Sequence, residues 1–146
     1  MLALMALGVT GCKNEETVTQ KLQTNTLDLT VLHEDWSYDE ATMQFYYHFE
    51  LEALTEKVYD YGNWTICREM NKGTQDAYQV ALPMSMFCTD TLSDSSVAYY
   101  TQHIDYRLGI GWVEIQLTNS DYYYPTTPDG KFINPEDMYF RLQLIY

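Results

Sequence analysis

The side chains best suited to chemistry in this 146-residue chain are its cysteines and histidines, and they are scattered along the sequence. Cys67 and Cys88 have no histidine at the spacing of zinc ligands, so no metal site is predicted. No serine lies in a nucleophile-elbow pattern, which argues against a hydrolase of that type. His48 falls on the polar face of a predicted strand and is interpreted as a surface side chain. The sequence therefore predicts no catalytic residues and a protein that is not an enzyme.

Aromatic side chains are the best candidates for a binding surface, because the chain has 14 tyrosines and three tryptophans. Exposed flat rings stack on sugar rings, while neighbouring carboxylates accept hydrogen bonds from hydroxyl groups. The possible ligand-binding aromatics are Trp36 and the run Tyr122, Tyr123 and Tyr124, which precedes Pro125. The alternative is that these rings pack on strands, which Tyr and Trp form readily.

Charged residues offer two further candidate sites, and each has a simpler interpretation. Arg68, Arg107 and Arg141 lie inside predicted strands, where they are expected to pair with acids across the solvent-exposed face. The sharper alternative is a shared anion pocket. The acidic residues of the segment 121–137 do not follow the alternating spacing of a calcium loop, so a solvated loop is expected there.

Cys67 and Cys88 leave two interpretations open. A disulfide between them is permitted if the chain folds in an oxidising compartment. If the chain instead folds back around residues 71–77, Cys67 lies near Leu82, and both thiols are small buried apolar side chains.

Composition and charge limit the classes of function that the sequence allows. With 46% apolar and 20% charged residues, the chain matches one globular domain that can bury its own core. The formal net charge is −13, which repels phosphate backbones and excludes nucleic acid as an expected partner. The same charge disfavours binding of the domain to anionic lipid, so any membrane contact must come from the N-terminus.

The N-terminus predicts such a contact. Residues 1–9 form an apolar run that is too short to span a bilayer but long enough for the core of a signal peptide. The segment Val9-Thr10-Gly11-Cys12 resembles a bacterial lipobox, and Lys13-Asn14-Glu15-Glu16 is similar to the surface-export signal of Bacteroidetes-type lipoproteins. The resemblance implies that residues 1–11 are a signal peptide and that Cys12 carries a covalent lipid, with no other cofactor.

The segment around Cys12 also predicts location and domain limits. The resemblance implies an outer-membrane protein that is exposed at the cell surface and held to the membrane by its lipid. No Lys or Arg precedes the apolar run, so the natural start is expected upstream of Met1. Residues 12–24 are too poor in apolar side chains to fold, which indicates a flexible tether before a domain at residues 25–146.

The domain has the two-residue hydrophobic period of β-strands. Seven candidate strands follow from this period, at residues 27–31, 43–51, 63–70, 78–84, 97–107, 110–119 and 138–146. One helical turn is predicted over 54–61, opened by Thr55, and Gly109-Ile110-Gly111 is interpreted as a hairpin turn or bulge. Pro83 lacks an N–H for the ladder, so its strand is expected to lie at a sheet edge or to break at Leu82.

Strands without a long helix predict an all-β fold, namely an antiparallel β-sandwich of immunoglobulin-like type, with a closed barrel as the alternative. Two stretches are also similar to small Bacteroidetes-type surface lipoproteins with such a domain: Phe49-Glu50-Leu51 to Gly62, and Phe140-Arg141-Leu142-Gln143-Leu144-Ile145. The expected function is a non-enzymatic binding or interaction module, whose partner is a glycan or a protein. A glycan-binding lipoprotein is the first alternative, and a small hydrolase is the second.

Overall fold

Nine strands form two antiparallel sheets in the computed structural model, which describes residues 22–146. The strands are β1 (Thr24–Val31), β2 (Ser37–Asp39), β3 (Gln44–Glu50), β4 (Asn63–Met70), β5 (Tyr78–Ala81), β6 (Met84–Thr91), β7 (Val97–Gly109), β8 (Trp112–Asn119) and β9 (Met138–Ile145). One short helix, α1 (Glu56–Tyr61), follows β3, and two 3-10 turns occupy His33–Asp35 and Ser120–Tyr122. The predicted signal peptide, Cys12 and most of the predicted tether lie outside the described residues. Between residues 22 and 146, no helix has the length and apolar character that crossing a bilayer requires.

The two sheets pack face to face as a sandwich. The four-stranded sheet has the order β1-β9-β4-β5, and the five-stranded sheet has the order β2-β3-β8-β7-β6. Every pairing between neighbouring strands is antiparallel. The predicted all-β antiparallel sandwich is therefore confirmed, with nine strands in place of about seven.

The core lies between the sheets and follows the predicted alternation of side chains. In β9, Phe140, Leu142 and Leu144 are fully buried, and in β8 the same holds for Ile115 and Leu117. Burial of apolar side chains of this size contributes roughly 1.5–3 kcal/mol each. The residues between them face away from the core, as the period of two requires.

The predicted strand at 78–84 is divided at Pro83, and its two parts belong to different sheets. β5 lies on the edge of the four-stranded sheet, and β6 lies on the edge of the five-stranded sheet. Because Pro83 has no N–H to donate, the expected edge position and the break at Leu82 are confirmed. The sequence does not predict the rest of β6, because the apolar Phe87 stands on its exposed face and blurs the alternation.

Two tight connections form as predicted. α1 begins after Thr55, whose side chain accepts a hydrogen bond from a backbone N–H of the first turn at 3.3 Å. Ile110 and Gly111 form a two-residue hairpin between β7 and β8, and Gly111 has a φ of +82°, which glycine adopts without strain. A Cβ atom on Gly109 would lie 2.5 Å from the Trp112 ring, so any other residue there would force that ring to move.

Cys67 and Cys88 are both free thiols and half-buried. Cys67 lies on β4 of the four-stranded sheet, where it pairs in register with Ala81, next to Leu82. Cys88 lies on β6 of the five-stranded sheet. The predicted fold-back is therefore confirmed. The disulfide alternative is wrong, because both thiols are free, with Cys67 on the outer face of its sheet and Cys88 on the inner face of the other.

Candidate functional site

A cavity of about 350 Å³ lies where a loop covers the inner face of the five-stranded sheet. One wall is formed by β3, β6, β7 and β8, and the other by residues 123–137, which connect β8 to β9 and are named here the covering loop. The cavity is at the lower end of the range of about 300–1,000 Å³ that is typical of small-molecule sites. Its polar groups come from Cys88, Tyr100, Gln102 and Asn119 on the strands, and from Asn134 and Glu136 on the loop.

Asn119 is the most unusual side chain of this cavity. It follows three buried apolar residues at alternate positions of β8 and is only 3% exposed. Its Oδ1 is buried and has no hydrogen-bond partner among the described residues, while its backbone N–H donates to the Tyr124 hydroxyl at 3.4 Å. A buried polar atom without a partner costs about 1–3 kcal/mol. The Asn119 side chain lines the cavity, so a ligand there would lie against it.

The strand wall of the cavity is uncharged at neutral pH. Burial raises the pKa of the Cys88 thiol and the pKa of the Tyr100 hydroxyl, so both groups keep their protons. Gln102 pairs in register with Asn119 and adds a second neutral amide. The wall therefore presents hydrogen-bond donors and acceptors without net charge.

One ion pair stands at the border of the cavity, and it corrects the prediction for Arg68. The Arg68 side chain is buried inside the sandwich, where Nη2 donates to Glu136 Oε1 at 2.7 Å and Nη1 lies 3.1 Å from Met86 Sδ. The Glu136 side chain is 72% exposed. Arg68 thus does not face solvent or pair across strands. It is the buried half of an ion pair whose other half reaches water.

Arg107 and Arg141 pair with acids across strands, as predicted. Arg107 donates to Glu114 at 2.6 Å, and Arg141 donates to Asp28 at 2.9 Å. These two pairs lie on the outer faces of different sheets, whereas the third arginine faces the interior. The three arginines therefore do not form the shared anion pocket that was the sharper alternative.

Two of the predicted ligand-binding aromatics, Trp36 and Tyr124, are buried among the core side chains. The Trp36 Nε1 donates to the backbone oxygen of Glu136 at 3.3 Å, which holds the end of the covering loop. The Tyr124 hydroxyl donates to the backbone oxygen of Met43, just before β3. Tyr124 also lines the cavity. Trp36 does not line it, but its hydrogen bond holds the covering loop that forms one wall.

Tyr123 and Tyr122 differ in their surroundings. Tyr123 is half-buried, and its hydroxyl donates to Asp90 Oδ2 at 2.7 Å, a bond that raises the pKa of Tyr123 to about 12. Its ring centroid lies 5.3 Å from that of Tyr100. Tyr122 is exposed and, like Asp121, has a positive φ that residues other than glycine rarely adopt. The four predicted aromatics therefore lie around one loop and do not share an exposed face.

The acidic residues of the loop region make separate local contacts. Asp129 accepts a hydrogen bond from Thr127, Asp137 accepts one from the backbone N–H of His33 at 2.7 Å, and Glu136 pairs with an arginine. Within the described range 22–146, no three side chains that could ligate a metal lie together. These acids fix the shape of the loop and its attachment to the 3-10 turn at His33–Asp35.

The outer face of the five-stranded sheet carries a serine–histidine pair that has no sequence signature. Ser85 Oγ lies 2.9 Å from His103 Nδ1, because the two residues are register partners on β6 and β7. Asp105 Oδ2 is 3.9 Å from His103 Nε2, which is longer than a hydrogen bond. The pair is exposed and lies on the opposite side of the sheet from the cavity.

Exposed aromatic rings also lie on this outer face. The ring centroids of Phe87 and Tyr99 are 5.7 Å apart, and both side chains are exposed. Leu92 and Val97, at and beside the adjoining strand ends, are exposed as well. Together these four residues form an apolar patch beside β6, which is an edge strand, and such patches are typical of interaction surfaces.

No protein-family model, curated protein or solved structure matches this chain. Two regions therefore guide the functional interpretation, namely the cavity under the covering loop and the apolar patch on the outer face. They differ in chemistry, because the cavity contains buried polar groups and the patch consists of exposed apolar side chains.

Proposed function

We propose that the chain is a surface lipoprotein of Bacteroidetes type, anchored in the outer membrane, whose β-sandwich is a non-enzymatic binding module. The cavity carries the proposal of binding, because it joins a volume of about 350 Å³ to the buried, unpartnered amide of Asn119. The lipobox-like segment Val9-Thr10-Gly11-Cys12 supports a lipid anchor on Cys12. The acidic residues after Cys12 support export to the cell surface.

Lipid attachment has a direct test in cells that express the chain. Cys12→Ala removes the proposed acceptor, so we expect the protein to leave the membrane fraction and to lose incorporation of labelled palmitate. Cys88→Ala is the matched control, because it removes a thiol from the folded domain. An unchanged membrane fraction and an unchanged processed mass in Cys12→Ala would contradict the anchor.

Binding fits the chemistry of the cavity better than hydrolysis does. A hydrolase needs a nucleophile beside a base, or two carboxylates placed on either side of a bond. The polar groups of the cavity are instead amides, a protonated phenol, a protonated thiol and the ion-paired Glu136. The Ser85–His103 pair is the observation that favours the small-hydrolase alternative, but it stands on an open sheet surface. Loss of a measured esterase activity in Ser85→Ala would favour that alternative.

Two partner classes fit the molecule, and they use different regions. A glycan would enter the cavity, whereas a protein would bind the apolar patch and the β6 edge. A glycan array probed with the Cys12→Ala chain tests the first class, and specific binding that Asn119→Leu loses would support it. Replacing Phe87 and Tyr99 with serine leaves the cavity intact and tests the second class. Loss of crosslinked proteins on intact cells in that double variant would favour a protein partner.

A further inference from the structure

The hydrogen-bonding groups of the cavity are almost all uncharged. Gln102, Asn119 and Asn134 contribute three amides, and Tyr100 contributes a hydroxyl that stays protonated at neutral pH. The one carboxylate at the border, on Glu136, is already paired with a buried guanidinium at 2.7 Å. A ligand therefore meets a polar surface with no free charge.

Charged ligands are a poor match for this surface. An anion would need a free cation, but Arg68 is held by Glu136, and the net charge of −13 repels anions at long range. A metal ion would need several ligating side chains, and the described residues place no three of them together. An organic cation would have to compete with the buried Arg68 for the same carboxylate.

A purely apolar ligand is an equally poor match. It would displace water from the cavity and leave the amides of Gln102 and Asn119 without partners, at a cost of about 1–3 kcal/mol for each buried polar group. Asn119 already lacks a partner for its Oδ1. The ligand must therefore carry hydrogen-bond donors as well as acceptors.

We infer that the cavity binds one pyranose ring of a neutral glycan, an inference that rests on the proposed binding function. Each sugar hydroxyl both donates and accepts, so one small ring can bond to the amides of Gln102 and Asn119 in a space of about 350 Å³. The C–H faces of the ring match the apolar walls formed by Phe45, Tyr124 and Pro125. A sugar hydroxyl beside Asn119 meets an amide that lines the cavity.

The two free cysteines allow ligand binding in the cavity to be measured by thiol alkylation. Cys88 lines the cavity, whereas Cys67 lies on the outer face of the other sheet and reports on the rest of the molecule. In the Cys12→Ala chain these two thiols are the only ones. Their alkylation by iodoacetamide is measured by mass spectrometry with glucose, galactose, mannose and N-acetylglucosamine, and with glucuronate and glucosamine as charged counterparts.

We expect at least one neutral sugar to protect Cys88 and not Cys67. At a sugar concentration about ten times its Kd, the alkylation rate of Cys88 falls about tenfold, because about one cavity in eleven stays empty. The charged counterparts protect less at equal concentration. Asn119→Leu loses the protection, whereas Gln116→Leu, on the outer face of the same strand, keeps it.

Other outcomes separate the inference from the proposed function. Protection of Cys88 by short peptides and by no sugar would overturn the sugar inference and leave a binding module. Protection by neither class would overturn the inference and remove the cavity as the binding site. Protection that persists in Asn119→Leu would also overturn it, because the amide would then take no part in recognition. An effect of Cys12→Ala on membrane attachment is measured separately and does not depend on any of these results.

Discussion

The inner face of the five-stranded sheet has two parts that are covered differently. Where the four-stranded sheet covers it, the strand β8 contributes Val113 and Ile115, both fully buried and apolar, and Leu117 follows at the border of the cavity. Where the covering loop takes over, the next inward residue of the same strand is Asn119, with an unpaired oxygen. One strand thus passes from a packed core to a polar cavity within two residues. The difference teaches that this sandwich concentrates its apolar packing between the sheets and its unpaired polar groups under the loop.

The largest effect is expected from a cavity made in the packed part. Phe140→Ala removes a fully buried ring from the middle of β9, and we expect the free energy of unfolding to fall by about 3–5 kcal/mol. Phe87→Ala is the matched control, because this exposed ring should change stability by no more than about 0.5 kcal/mol. Urea unfolding of both variants gives the comparison. Equal losses of unfolding free energy in the two variants would show that the two positions are packed alike.

The next effect is an asymmetry within the ion pair at the cavity border. Glu136→Ala leaves the buried Arg68 charge without its partner, and we expect a loss of about 1.5–3 kcal/mol. Arg68→Met leaves an exposed carboxylate that water solvates, so we expect a loss of less than about 1 kcal/mol. Thermal and urea unfolding measure both variants. A larger loss in Arg68→Met would mean that packing of the arginine stem dominates over its charge.

A smaller effect of opposite sign is expected at Asn119. Asn119→Leu replaces an unpaired buried amide with an apolar group of similar size, and we expect stability to rise by about 1 kcal/mol. Gln116→Leu, on the outer face of β8, should stay within about 0.5 kcal/mol. The denaturant midpoints of the two variants, compared with that of the wild type, measure these changes in stability. A destabilised Asn119→Leu would show that the amide is satisfied in solution and is no mark of a ligand site.

The last effect, of about the same size, is expected at Tyr123, which ties the covering loop to Asp90. Tyr123→Phe removes one partly buried hydrogen bond at the molecular surface and should cost about 1 kcal/mol at neutral pH. The bond raises the pKa of Tyr123 from 10 to about 12, so the folded state holds this proton more tightly than the unfolded chain. That contribution is complete below pH 10 and is lost as the pH rises towards 12.

The stability difference between wild type and Tyr123→Phe, measured by urea unfolding across this pH range, should therefore shrink as the pH increases. Tyr122→Phe is the control, because Tyr122 is exposed and its hydroxyl makes no hydrogen bond among the described residues. A difference that grows with pH would contradict the bond to Asp90.

Much of the fold follows from the sequence, because apolar and polar residues alternate clearly in strands with one face in the core and the other in water. The period of two predicts β3, β4, β8 and β9 to within two residues, and the Thr55 cap and the Pro83 break follow from local backbone chemistry. The part of β6 after Met84 does not follow, because Phe87 faces water. The alternation there reads as irregular, although the strand pairs along its whole length with β7.

The candidate site is predicted less well, for a different physical reason. The sequence points to the run Tyr122 to Tyr124, and this run does open the loop over the cavity. It cannot reveal that Trp36 and Tyr124 are buried or that Arg68 faces inward, because burial depends on which segment covers a strand. Asn119 carries no signature at all in the sequence. An amide at the end of a strand becomes unusual only when a loop closes over it.

The pairing of β1 with β9 places the start of the domain and the covering loop at opposite ends of the sandwich. Thr24 pairs with Ile145, and Val31 pairs with Met138, so the chain enters the sandwich at the end where β9 finishes. The covering loop leads into Met138, at the opposite end of the same strand. Eight residues of strand separate the two ends by roughly 25 Å. In a chain anchored through Cys12, the tether would therefore join the domain at the end opposite the cavity, which leaves the cavity clear of the attachment point.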